Sequence, residues 1–213
     1  MKNRFYLACF RDNVGGNIAF HGIDGNGYVT DISKAHEYTL TQAQHQWEMA
    51  REYDQPISAD HIDKLACEKV DCQKLPRESD FSKSKVGYVA FKEGAWSGND
   101  VYWQSLEGST LNFKLAMTLT LSEAKALGKG YIVVPFELAD NAKRRTFAMS
   151  LLNRRTMIQG AGLKTPDRIK RNRRRRNNPM ERWNCPTCGK ITWQRNPHDF
   201  EGCNDIECKD YKY

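Results

Sequence analysis

Two pentapeptides 81 positions apart (120 minus 39) constrain this chain more than any other feature: Thr39-Leu40-Thr41-Gln42-Ala43 and Thr120-Leu121-Ser122-Glu123-Ala124. Each has the form of a capping box, in which the threonine and the Gln or Glu three residues on exchange side-chain bonds with each other's backbone N–H, so each predicts a helix start. The same separation relates Phe10 to Phe91, and a separation of 82 relates Gly16-Asn17 to Gly98-Asn99 and Phe20 to Tyr102. Downstream, Pro56 to Asp60 resembles Pro135 to Asp140 with one residue inserted. The pattern predicts two copies of one module, roughly residues 3–75 and 86–160.

Around each pentapeptide the grammar is the same. Strand-like runs at Arg4 to Phe10 and Val86 to Phe91 lead through Gly/Asn turns to short strands at Asn17 to His21 and Asp100 to Gln104. A third strand is expected at Gly27 to Asp31 in one copy and Leu111 to Met117 in the other. The expected fold class is therefore α+β: two repeated small antiparallel-sheet-plus-helix modules, then a basic linker and a C-terminal zinc ribbon. The corresponding segments are residues 1–80, 81–162, 163–182 and 183–213.

The second copy is expected to close on a long helix from about Ala139 to Gln159. Phe147, Ala148, Leu151, Leu152 and Ile158 would lie on one side, Lys143, Arg144, Arg145, Arg154 and Arg155 elsewhere, with Gly160 as terminator.

The formal net charge of +7 is unevenly placed. Residues 1–163 hold 20 Lys/Arg against 19 Asp/Glu, residues 164–182 hold 9 against 2, and residues 183–213 hold 4 against 5. The excess is a segment, KTPDRIKRNRRRRNNPMER, with almost nothing apolar, which predicts an extended linker kept open by like-charge repulsion. Lys164, Arg168, Lys170, Arg171, Arg173, Arg174, Arg175, Arg176 and Arg182 supply guanidinium and ammonium groups that pair with phosphates and release counterions. Arginine-rich segments that order on binding are typical of RNA recognition, which favours RNA over single-stranded DNA. A localisation-type, acidic-protein-binding or solubilising tail is the bland alternative.

Beyond the linker, Cys185, Cys188, Cys203 and Cys208 form a C-x2-C-x14-C-x4-C set, and Cys185-Pro186-Thr187-Cys188-Gly189-Lys190 has the spacing and trailing glycine of a zinc knuckle. Four thiolates suit one tetrahedral Zn2+ and leave no open position, so the expected ion is structural. Around it, Trp183 is the expected base-stacking residue, while Trp193 and Phe200 are expected to form the ribbon's own core and His198 to be a surface or packing residue rather than a substitute ligand. The run CPTCGK, then FEGC and a closing cysteine followed by KDYKY, resembles the C-terminal zinc ribbons of type IA DNA topoisomerases, with four rather than five residues between Cys203 and Cys208. That resemblance covers about 30 residues and implies a zinc ribbon and a single-stranded DNA ligand; nothing in residues 1–163 implies topoisomerase activity. Separately, GYVTDISKAHEYT resembles small uncharacterised modules of phage-encoded proteins, which implies no function.

Two further constellations occur in the first 75 residues. Cys67 and Cys72 with His61, and His45 or Cys9, offer a second metal set without a knuckle turn. His21, Asp24, Asp31, His36, Asp60, His61 and Asp63 offer the residue types of a metal-dependent nuclease, but no spacing marks nucleophile, base and oxyanion donor together, and no catalytic residue is assigned. The longest apolar runs, Phe5 to Phe10 and Tyr131 to Phe136, are six residues, too short for a signal-peptide core or membrane span, so a cytoplasmic protein with reduced cysteines is expected. The reading is thus a non-enzymatic nucleic-acid-binding protein whose RNA ligand includes the option of a ribonucleoprotein such as the ribosome. Its alternatives are an inhibitor or adaptor that binds a protein through the duplicated modules, and a metal-dependent nuclease.

Overall fold

Both capping boxes form in the computed structural model, which describes residues 3–177, 180–196 and 198–212. Thr39 N–H donates to Gln42 Oε1 (2.9 Å) and Gln42 N–H to Thr39 Oγ1 (3.4 Å); Thr120 N–H donates to Glu123 Oε2 (2.8 Å) and Glu123 N–H to Thr120 Oγ1 (3.3 Å). These bonds satisfy donors that a helix start otherwise leaves orphaned.

The chain is mixed α+β, with several small antiparallel sheets and few helices. It divides into two compact units, Met1–Lys164 and Thr165–Tyr213. In chain order the first unit carries β1 (Arg4–Val14), β2 (Asn17–His21), β3 (Tyr28–Val29), β4 (Tyr38–Thr39), α1 (Leu40–Met49), β5 (Asp54–Ser58), α2 (Ala59–Leu65) and β6 (Cys67–Val70). It continues with β7 (Tyr88–Ser97), β8 (Asp100–Ser105), β9 (Gly108–Thr110), α3 (Leu121–Ala126), β10 (Tyr131–Pro135), α4 (Phe136–Ala142) and β11 (Lys143–Thr146).

In the first sheet β1 pairs antiparallel with β2 (Ala8↔Phe20), β4 (Phe5↔Tyr38) and β5 (Tyr6↔Ile57), and β3 extends β2. In the second, β7 pairs with β8 (Phe91↔Trp103) and β10 (Val133↔Ala90), and β9 extends β8. Strand alternation sorts the core: Val89 and Phe91 join Val101, Trp103, Phe113 and Val134, whereas Tyr88 and Ala90 join Leu119, Ala124 and Val133 beside α3. Trp103 meets Phe91 and Phe113 edge-on at 5.6 and 5.1 Å. Each large apolar side chain removed from water in this way contributes roughly 1.5–3 kcal/mol.

Two expected elements are corrected. The stretch Ala139 to Gln159 is not one helix: α4 ends at Ala142, β11 follows, and only short 3-10 and π-helical turns occupy Met149–Leu151 and Arg155–Gln159. The cause is tertiary. β11 pairs antiparallel with β6 (Lys143↔Val70, Arg144↔Lys69, Arg145↔Glu68, Thr146↔Cys67), which places Phe147 and Thr146 in the interior. Leu111 to Met117 is likewise not a strand; β9 stops at Thr110, and Asn112 accepts from Lys114 N–H to start a 3-10 turn over Phe113–Leu115.

Within the second unit lie α5 (Asp167–Asn177) and an antiparallel hairpin of β12 (Glu181–Asn184) and β13 (Ile191–Gln194). Residues 167–177 were expected to be extended. They are helical because Asp167 sits in the first turn, Lys170 pairs with it at 2.9 Å, and Arg and Lys are good helix formers with cations favoured toward the C-terminal end. No helix among the described residues is long and apolar enough to cross a membrane.

Candidate metal centre and basic helix

Two tight turns, one joining β12 to β13 and one beyond β13 at Cys203 to Cys208, face four sulfurs toward one another. In the first turn Gly189 N–H donates to Cys185 O (2.9 Å) and Cys188 N–H to Cys185 Sγ (3.5 Å); the reversal needs the left-handed backbone that Gly189 adopts at φ +72°. In the second, Cys208 N–H donates to Asp205 O (2.9 Å) and Asp205 N–H to Cys203 Sγ (3.4 Å). The second turn is closed by its own flanks: Cys203 N–H donates to Asp210 O at 2.6 Å, and Lys212 N–H donates to Cys203 O at 2.9 Å.

All four Sγ atoms lie within 4.8 Å of one another, with Cys185–Cys208 and Cys188–Cys203 each at 3.6 Å. A disulfide needs about 2.05 Å, so the thiols are unbonded. A tetrahedron of sulfurs about 2.3 Å from a central ion has edges of about 3.8 Å, which these separations fit. Cys185, Cys203 and Cys208 are buried, Cys188 is exposed, and Phe200 packs against them. Burial raises the Cys185 thiol, but N–H donation from Cys188 and Thr187 outweighs it and leaves the thiol below its usual value. The four cysteines are thus a possible metal-binding site with no place for a substrate ligand.

Sequence reasoning missed the groups that brace these turns. Lys190, one residue past Gly189, is ion-paired with Asp205 of the second turn; that bond lifts the lysine and lowers the carboxylate. Thr187 donates to Asp210. The basic residue after CPTCG was the available signal.

The aromatic assignments also change. Trp193 is 44% exposed rather than internal, because Thr192 and Gln194 on the same strand point inward and are fully buried. Trp183 is half-buried and stacks obliquely on Phe200, ring centroids 6.2 Å apart. Across the hairpin Trp193 stands opposite Arg182, and both are exposed. His198 is exposed, the surface one of the two places expected for it.

The predicted phosphate-contacting residues are placed as follows. Arg168, Lys170, Arg171, Arg173, Arg174, Arg175 and Arg176 all fall on α5, whose 11 residues span about 16 Å. Ile169 is its buried anchor; Lys170, Arg171, Arg173 and Arg174 are exposed, and the last three form no ion pair among the described residues. Arg175 and Arg176 are described only by their place in the helix. Lys164 ends the first unit, its backbone N–H and C=O both bonded to the Gln44 amide at 2.9 Å. In contrast, Lys143, Arg144 and Arg145 are taken up in ion pairs with Asp140, Asp100 and Asp63, so the basic surface does not extend back into β11.

The other constellations disperse. Among the described residues the four cysteines are the sole group of three or more potential ligands brought together. Cys9 is buried, Cys67 Sγ meets Thr146 Oγ1 at 3.7 Å, and His61 Nδ1 lies 3.0 Å from Ser58 Oγ. Asp60 and Asp63 pair with Arg4, Asp31 caps a 3-10 turn through Ser33 N–H, and His21 lies 3.5 Å from Asp54.

No known protein family, characterised protein or solved structure matches this chain. The cysteine geometry is compatible with a zinc ribbon, and no match supports the likeness of the last 30 residues to topoisomerase zinc ribbons.

Proposed function

We propose that this protein binds nucleic acid without transforming it, RNA in preference to single-stranded DNA, through α5 and a C-terminal ribbon held by one structural Zn2+. A large ribonucleoprotein such as the ribosome is a ligand of this class. The observation that carries the reading is the density of cations on α5: seven basic residues (Arg168, Lys170, Arg171, Arg173, Arg174, Arg175, Arg176) against Asp167 alone in 11 positions. A helix that presents so many guanidinium groups, several without an internal partner, is stabilised by closely spaced phosphates. Cys185, Cys188, Cys203 and Cys208 would hold the zinc, whose part is to fix the ribbon's two turns; iron is the chemical alternative for four sulfurs. On the ribbon, Arg182 with Trp193 adds one cation and one stacking surface, and Trp183 contributes through its exposed edge.

The first unit is read as two copies of one module. Matching capping boxes, the same helix–strand–helix–strand order after three or four strands (α1-β5-α2-β6 and α3-β10-α4-β11) and the β6–β11 pairing support a pseudo-twofold arrangement of the copies.

The test is binding of a 12-nucleotide RNA and the matching DNA at low and high salt, before and after Arg173, Arg174, Arg175 and Arg176 are changed to Ser. Each lost phosphate contact lowers the salt slope by about 0.7 on a single strand, so a drop of up to about 3 is expected. Absence of binding to either strand at low salt would refute the reading. A protein-binding adaptor is the second reading, favoured by Leu106 and Leu115, 91% and 61% exposed beside a cavity of about 610 Å3. Retrieval of one stoichiometric protein partner, lost on Leu106→Ser, would support it.

A further inference from the structure

We infer that the first unit carries a second contact for the same ligand, a pocket for one unpaired nucleobase stacked on Trp96; this rests on the nucleic-acid reading above. Trp96 lies near the end of β7, is 56% exposed, and makes no ring contact among the described residues. An indole left in water at a sheet margin forgoes the burial that holds Trp47 and Trp103, both almost completely buried. A β-bulge aims it there. The β7–β8 register runs Phe91↔Trp103 and then Trp96↔Val101, with the irregularity between them, and Gly94 within it takes the left-handed conformation at φ +67°. Bulges bend a strand and redirect side chains; Phe91 and Trp96 are five positions apart, which regular alternation would put on opposite faces, and the bulge instead brings Trp96 round to the face of Phe91.

The result is a cavity of about 420 Å3, within the range of small-ligand pockets, rimmed by Trp96 with Phe91 and Ile132 beneath. Its polar lining is sparse and specific. The Arg77 guanidinium and the Gln73 amide are exposed and have no hydrogen-bond partner among the described residues, and Glu93 adds a carboxylate. An aromatic face beside a cation fits a base with its attached phosphate: Trp96 takes the ring and Arg77 the phosphate. Gln73 offers both a donor and an acceptor to a base edge. Glu93 repels bare phosphate and accepts from an exocyclic amine, so amino-bearing bases enter in preference to uracil. Cys72 lines the floor as a neutral thiol, pushed up by burial.

The experiment uses the full chain and two labelled 12-mers, oligocytidylate and an abasic backbone of the same length, read by fluorescence anisotropy. Trp96→Ala is expected to weaken oligocytidylate about 5- to 150-fold and leave the abasic strand unchanged, with Trp96→Phe restoring most of the loss. Arg77→Ser, an exposed change that leaves the core intact, should weaken both strands and serves if Trp96→Ala does not fold. Unchanged oligocytidylate affinity in folded Trp96→Ala, while the α5 serine variant loses binding, would overturn the pocket and leave the helix reading standing. If the unaltered protein binds neither strand at low salt, both readings fall together.

Discussion

The carboxylate of Asp100 lies 2.7 Å from the guanidinium of Arg144, and both side chains are interior, 0% and 6% exposed. Asp100 opens β8 and Arg144 lies on β11, the strand that pairs with β6 of the first half. Asn17 of β2 also donates to Asp100, at 2.5 Å, and Lys69 of β6 donates to Asn17 at 2.7 Å. One buried carboxylate thus ties both halves of the first unit into a single polar network.

Removing that carboxylate takes from buried Lys69 its acidic partner at 3.6 Å and leaves Arg144 only the longer 3.8 Å pair with Asp71. Asp100→Ala is expected to cost about 3–5 kcal/mol, the usual penalty for breaking one side of a buried pair. Chemical denaturation monitored in the first unit measures it, and a loss below about 1 kcal/mol would mean that water already solvates the network.

A close backbone approach gives the second prediction. At the β1–β2 and β7–β8 turns, Gly15 (φ +59°) and Gly98 (φ +62°) meet so closely that a Cβ on Gly98 would lie 2.5 Å from Gly15 N. Gly98→Ala therefore meets both a steric clash and a left-handed backbone, and should destabilise by about 1–3 kcal/mol. Gly16→Ala, with open space around it, is the control and should leave the melting temperature within a degree or two.

What could be read from the sequence was what neighbouring residues encode by themselves. A capping box is a bond pattern within four residues, and Cys185 to Gly189 is a turn that closes on itself, so both were legible. The long helix over Ala139 to Gln159 was not, because Arg144 finds its partner at Lys69, 75 positions away (144 minus 69), and a strand won over local helix periodicity. The roles of Trp183 and Trp193 depend on hairpin register, and Gln194 is drawn inward by bonds to the carbonyls of Asn196 and Asp199 that no local pattern announces. Trp96 was missed for a similar reason: its place on the face of Phe91 follows from a bulge, and the glycine within the bulge looks like any turn former.

Acid stability should carry the signature of Glu137. Ser84 Oγ donates to its carboxylate at 2.6 Å, and Lys85 and Val86 add backbone N–H donors at 2.8 and 3.2 Å. These bonds, Ser84's foremost, hold it at about 2 instead of the ordinary 4.5. A carboxylate lowered on folding stabilises the native state fully above its unfolded value and loses that contribution as pH falls through the folded one. The melting-temperature advantage of the native chain over Glu137→Gln should therefore be constant above about pH 5.5 and shrink between 4.5 and 2. A pH-independent difference would assign the role to packing.

The four-cysteine site makes the last prediction, and it separates the two units. If one thiolate-bound ion fixes both turns, elemental analysis should find one zinc per chain, absent in Cys185→Ser and retained in Cys67→Ser. Metal binding in such small modules is coupled to folding, with apparent free energies of about 10–16 kcal/mol at neutral pH, far more than a hairpin with so few buried aliphatics could supply itself. Chelation should then expose the backbone amides of β12 and β13 to solvent exchange while those of β1 and β7 stay protected. Acid should release the ion as well, because each sulfur must be deprotonated to bind. Protection of Thr192 and Gln194 that survives complete metal removal would show that the hairpin folds on its own and would reduce the cysteines to incidental thiols.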